Sequence, residues 1–140
     1  MPSRMTLKDI LESKPTEVIT VNKKRSIVDA IKTMRERNVS GVFVVDKNNK
    51  LVGIFTERDV VHCYVKGCSF EKDKIESVMR TDLITFDPST KISTAISIAA
   101  KNKKRHLPVV EGDRIVGMIT FRDLVSYLLP EICYMAEEIY

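Results

Sequence analysis

The sequence predicts a mixed α/β (α+β) protein made of two copies of one β-α-β-β-α unit, packed sheet to sheet with the helices outside. Three observations predict it. Val18 to Asp46 lies over Leu83 to Glu111 at a constant offset of 65 residues, and self-similarity over that length marks a repeat. Each copy carries apolar residues at i, i+3, i+4 and i+7: Ile27, Ala30, Ile31 and Met34 in one, Ile92, Ala95, Ile96 and Ala99 in the other. That spacing is the stripe of an amphipathic helix. Each copy then closes on the same phrase, "GIFTERD" (Gly53 to Asp59) and "GMITFRD" (Gly117 to Asp123). A single unit leaves one apolar sheet face uncovered, and a second copy covers it. Such a pseudo-two-fold pair forms two related clefts, each walled by both copies.

The elements follow in order. "LKDILES" (7–13) parallels "KIESVMR" (74–80) and leads each unit. The β-branched runs "VITV" (18–21) and "LITF" (83–86) read as short strands. The helical stripes come next, and Ser26 offers the first of them an N-cap, whereas the second is preceded by Lys91. "VFVVD" and "LPVVE" read as buried strands, "KNNK" and "GDR" as hairpin turns, and "LVGIFT" and "IVGMIT" as the returning strands. "VVHCYVKG" and "LVSYLLPE" close the units as helices. The first repeat is assigned to residues 1–70 and the second to 71–128. A helical tail, 129–140, follows Pro130.

The chain of 140 residues, 44% hydrophobic and 30% charged, is long enough to bury a core without a staple. With no tryptophan and 6% aromatics, that core must be aliphatic. A net charge of +4 permits an anionic partner, but 19 acids interspersed with 23 bases do not demand nucleic acid. No signal peptide or membrane span is evident, which points to the cytoplasm. Cys63, Cys68 and Cys133 form neither a paired framework nor a zinc pattern, and they read as reduced thiols. There is no Ser/His/Asp or Cys/His spacing, no phosphate-binding glycine loop and no HExxH. Two histidines in unrelated contexts do not make a repeated acid–base pair. The chain is expected to bind rather than catalyse, with no metal and no required cofactor.

The chemistry sits in the doubled phrase. Asp59 and Asp123 stand at strand-to-helix junctions, where an aspartate caps a helix. A carboxylate there can equally accept two hydrogen bonds from a ribose diol. Thr56 and Thr120 offer a hydroxyl to a ribose or phosphate oxygen, and Arg58 and Arg122 a charged fork suited to phosphate. The helix N-terminus adds partial positive charge. An aspartate cap alone leaves the recurring Thr and Arg unexplained.

The order of elements, the strands "SGVFVVD" and "HLPVVEGD", and the paired G-x-x-T-x-R-D phrases resemble a tandem pair of CBS domains, a Bateman module standing alone, over roughly residues 7–128. The resemblance implies a regulatory module whose ligand is an adenine nucleotide, AMP, ADP or ATP, gripped at ribose and phosphates by the Thr/Asp phrase. Carried over by position, it implies one cleft from Thr16, Ile19, Val39 and Ser40 facing Thr120, Arg122 and Asp123. The other would join Thr81, Ile84, Arg105 and His106 to Thr56, Arg58 and Asp59. The small, neutral "NVSG" approach makes the Asp123 cleft the better pocket, since "KRHL" crowds the other with charge. Phe43 replaces the proline that usually opens the second strand, where the second copy keeps Pro108, and is expected to fill core. His62 is expected at the surface. The resemblance also implies a homodimer through helices, and a regulated protein that reads the ligand state. The run Lys101–His106 is expected to be a solvated helix end, with a nucleic-acid or protein-binding surface as the alternative.

Overall fold

The computed structural model describes residues 5–13 and 17–128. In chain order these form α1 (Leu7–Ser13), β1 (Thr20–Asn22), α2 (Ile27–Arg37), β2 (Gly41–Val45), β3 (Leu51–Thr56) and α3 (Glu57–Lys66). A 3-10 turn (Ile75–Ser77) follows, then α4 (Ile92–Lys101), β4 (His106–Glu111), β5 (Arg114–Thr120) and α5 (Phe121–Leu128). They gather into two compact units. A central unit spans Val18–Leu83, and a terminal unit joins the N-terminal segment through Glu17 to the chain from Ile84 onward. The expected tail helix over 129–140, with Cys133, lies outside the described residues.

In the central unit β1 runs parallel to β2, and β2 antiparallel to β3. The α2 stripe of Ile27, Ala30 and Met34 buries against Val42 and Val44 of β2, Phe55 of β3 and Cys63 of α3. Ser26 caps α2, its hydroxyl accepting the Asp29 N–H at 3.2 Å. Asn38 ends the helix at φ 54°, a left-handed conformation that asparagine tolerates. In the hairpin turn Asp46 Oδ1 accepts the N–H groups of Asn48 and Lys50, at 2.8 and 2.9 Å. Phe43 is buried, as core.

In the terminal unit β4 and β5 form the matching hairpin, turning at Gly112 with φ 65°. Ile92, Ala95 and Ala99 of α4 pack with Leu107, Val109, Ile119 and Leu124 of α5. The expected opening strand over "LITF" is reduced to one isolated bridge, Phe86 to Val109. The cause is local. In the central unit the Phe43 N–H donates to the Ile19 carbonyl at 3.2 Å. The aligned residue in β4 is Pro108, which has no N–H to donate, so the parallel ladder cannot extend past Phe86. Phe86 itself donates to the Pro108 carbonyl at 3.0 Å and accepts from Val110 at 2.8 Å.

The leading segments are exchanged. Leu7 and Ile10 lie in the core of the terminal unit, and Ile75 in that of the central unit. Backbone bonds fix the exchange. Leu7 N–H donates to the Thr90 carbonyl and Lys8 N–H to Pro88; in the other unit Ile75 donates to Arg25 and Glu76 to Lys23, all at 2.8–3.1 Å. These bonds equate Leu7 with Ile75, one residue further than the alignment of "LKDILES" with "KIESVMR" expects. The motif glycines make room for the exchanged segments. A Cβ on Gly53 would stand 2.5 Å from Met79 Sδ, and one on Gly117 would stand 2.7 Å from Leu11 Cδ2.

Candidate functional site

Both G-x-x-T-x-R-D phrases bridge the last strand of a unit to its last helix. Thr120 ends β5, its N–H donating to Asp123 Oδ2 at 3.2 Å, while the Asp123 N–H donates to Thr120 Oγ1 at 3.1 Å. That reciprocal pair is a capping box, in which Thr is the cap and Asp the third helical residue. In the central unit Thr56 N–H and Oγ1 both donate to Asp59 Oδ2, at 2.8 and 3.0 Å. The expectation that a cap requires only the aspartate is therefore corrected: capping accounts for Thr and Asp together. The side chains of Arg58 and Arg122 are exposed, and the capping bonds are made by Thr and Asp.

The first phrase has a further partner that sequence reasoning missed. Arg80 Nε lies 3.0 Å from Asp59 Oδ1 and 3.3 Å from Oδ2, and its Nη2 donates to Thr56 Oγ1 at 3.3 Å. Asp59 is 6% exposed, and is the buried charged residue among those described. Asp123 is half-buried. The signal was present in "VMRTD", but it becomes legible only once the segment 74–80 is known to close the unit that holds Asp59.

The start of each second strand sits beside its own unit's phrase. Glu57 N–H donates to the Ser40 carbonyl at 2.9 Å, and Phe121 N–H to the Arg105 carbonyl at 2.8 Å. Gly41 pairs with Thr56, and His106 with Thr120. The central unit thus holds Ile19, Val39, Ser40, Thr56, Arg58, Asp59 and Thr81; the terminal unit holds Ile84, Arg105, His106, Thr120, Arg122 and Asp123. Thr16 lies outside the described residues. Val39 also lines a cavity of about 380 Å³ between α2 and the start of α3, with Met34, Asn38, Glu57 and Val60.

The basic run starts as a helix end. Asn102 turns back on α4, its side-chain amide donating to the Ile98 carbonyl at 2.8 Å, and Lys101 and Lys103 are exposed. Arg105 precedes β4 and His106 opens it, both with accessible side chains. The surrounding protein nonetheless partly desolvates the imidazolium, and with the Arg105 charge this holds the His106 pKa below its usual value. His62 is exposed on α3. Cys63 and Cys68 are free thiols, and burial first, then the bond to Cys68, pushes the Cys63 thiol up to about 11.

The model of the CBS domain family matches residues 7–66 and, a second time, 75–130. The chain belongs to the CBS-domain family. A 17.7 kDa protein of Acidianus ambivalens is 33% identical to this CBS pair over 117 residues, 81% of this chain and 69% of that one. Among solved structures, the CBS-domain protein ATU1752 of Agrobacterium tumefaciens superposes with a TM-score of 0.73 at 29% identity, covering 89% of this chain and 98% of that one. The CBS pair of protein MJ0100 superposes at 0.73 with 28% identity, over 90% of this chain and 96% of its own. That structure is a complex with 5′-methylthioadenosine and S-adenosyl-L-methionine. Among the described residues no helix is long and apolar enough to cross a membrane.

Proposed function

We propose that this CBS pair is a regulatory module that binds an adenine nucleotide (AMP, ADP or ATP) in clefts between its repeats, without catalysing a reaction. The observation that carries the reading is the exposed arginine, Arg58 or Arg122, fixed between a capping Thr and Asp in both copies. An exposed arginine beside a helix N-terminus supplies both the charged fork and the amide dipoles that a phosphate takes. The ligands of the MJ0100 pair, which carry adenosine but no phosphate, support the adenosine part of this reading. The ligand joins Thr120, Arg122 and Asp123 to Ile19, Val39 and Ser40 across the repeats. Its differential affinity for one relative angle of the repeats is what a partner protein reads. Calorimetry with AMP, ADP and ATP tests this: saturable binding that Arg122→Ala weakens at least tenfold is expected, and no saturation at millimolar nucleotide sinks it. Ser40→Phe should abolish the site that Asp123→Ala abolishes; binding unchanged in Ser40→Phe refutes the cross-repeat pairing.

The module works as a homodimer in this proposal. Val61, Tyr64 and Val65 form an exposed apolar stripe on α3, 63–79% accessible, at the spacing of one helix face. Sedimentation should find a dimer that Tyr64→Glu dissociates. A second reading, nucleic-acid binding at Lys101–His106, draws on the exposure of Lys101, Lys103 and Arg105. A gel shift across a salt series discriminates, because phosphate-tracking bases lose affinity steeply with salt.

A further inference from the structure

We propose that Cys63 and Cys68 are a redox-sensitive pair, joined by thiol–disulfide exchange into a bond that staples the end of α3 to the loop behind it. The backbone already brings them together. Helix α3 ends at Gly67 in a left-handed conformation, φ 79°. The Cys68 N–H then donates to the Cys63 carbonyl at 3.0 Å, and the Gly67 N–H to the Tyr64 carbonyl at 3.2 Å. These two bonds make a Schellman motif, which sets the side chains before and after the turn against each other. Here those side chains are the two cysteines. Cys68 packs on the buried cluster that contains Cys63, and the two thiols are hydrogen-bonded to one another. A disulfide needs such an approach, because cysteines that point apart cannot be bridged without moving backbone.

The fold itself does not call for cysteine here. The repeat offset of 64 residues puts Tyr127 where the first copy has Cys63, and Tyr127 packs on the core of its own unit. The loop that begins at Cys68 serves α2. The Ile27 N–H donates to the Asp73 carbonyl at 3.0 Å and the Val28 N–H to the Phe70 carbonyl at 2.8 Å. Both are first-turn donors for which a helix has no acceptor of its own. A bond from Cys63 to Cys68 therefore ties the end of α3 to the start of α2 within the central unit. Exchange begins at Cys68, the half-buried thiol. Its thiolate attacks a disulfide oxidant such as oxidised glutathione, whose S–S bond breaks, and the departing thiolate takes up the proton that Cys68 released. Cys63 then gives its proton to the second glutathione as it attacks Cys68 Sγ and expels it. Two protein S–H bonds become one S–S bond, and the oxidant's S–S bond becomes two S–H bonds. Burial holds Cys63 protonated, so the second step is the slow one.

The full chain, folded and incubated with oxidised glutathione, tests the proposal. Trypsin cuts after Arg58, Lys66 and Lys72, so residues 59–66 and 67–72 leave as separate peptides unless the bond links them. The linked pair should appear in the mass spectrum, vanish with dithiothreitol and be missing from Cys68→Ser. Cys63→Ala serves as the control should Cys68→Ser fail to fold. Oxidation should raise the melting temperature of the wild type by about 5 °C, and reduction should return it. Glutathione retained on Cys68, a bond to Cys133 or to a second chain, or two thiols still free would each overturn the pair. A link that forms only in urea overturns it too. A linked pair with an unchanged or lowered melting temperature overturns the staple.

Discussion

At the scale of single residues, environment decides which side chains react. Cys63 is buried against the α2 stripe, and its thiol is pushed up to about 11, so its thiolate is scarce near neutral pH. Cys68 is half-buried at the end of α3. Iodoacetamide at pH 8 should therefore label Cys68 well before Cys63 in the native chain, and peptide mapping would refute this by finding equal rates. His106 gives a pH dependence. Its folded pKa lies below the ordinary value of about 6.5, so the unfolded chain takes up a proton first as pH falls. Stability should consequently decline as pH drops from about 6.5 toward the depressed folded value, and level off beneath it. Thermal melts from pH 7.5 to 5 should show the decline, and His106→Gln should flatten this component. An unchanged profile in that variant would assign the slope elsewhere.

At the scale of elements, the two copies are a controlled comparison written into one chain. Ser26 caps α2, whereas Lys91 stands at the equivalent place on α4 with extended dihedrals and no side-chain cap. Lys91→Ser should supply the missing cap and stabilise by about 1 kcal/mol in urea melts; a loss of stability would show that the lysine serves another purpose. The motif glycines differ in what an added methyl meets. At Gly117 it meets only the flexible end of Leu11, while at Gly53 it meets Met79 and the Arg80 carbonyl at 3.0 Å. Gly53→Ala should cost about 1–3 kcal/mol, and Gly117→Ala less. The reverse order would refute the packing account. Periodicity made the helices, hairpins and Ser26 cap legible in the sequence, because each depends on neighbours along the chain. The lost strand at Leu83–Phe86 depends instead on a donor that Pro108 lacks, 22 residues beyond Phe86. Arg80 likewise became meaningful only through its approach to a carboxylate 21 residues before it.

At the scale of the whole molecule, the sequence repeat and the compact unit are different objects. Matching residues along the chain reveals the repeat, yet it assigns Leu7 and Ile10 to the copy that they do not fill. Leu7 is fully buried with Ile92, Leu107 and Leu124. Leu7→Ala should cost about 2–5 kcal/mol, and native-state hydrogen exchange should register the loss in α4, β4 and β5 rather than in β2 and β3. Equal loss in β2 and β3 would mean that the two units unfold together.

The exchange also sets an order of assembly during synthesis. The central unit is a continuous stretch, so it can close on the ribosome once Leu83 has cleared the exit tunnel. Helix α1 is made before any of it, yet its core neighbours on α4, β4 and α5 are made after it. Leu7 and Ile10 therefore stay unsheltered until α4, β4 and α5 emerge, after the central unit has closed. Protease applied to stalled nascent chains should clip α1 until α5 emerges and spare it afterwards. A helix made ahead of the central unit thus finds its place only after that unit has folded.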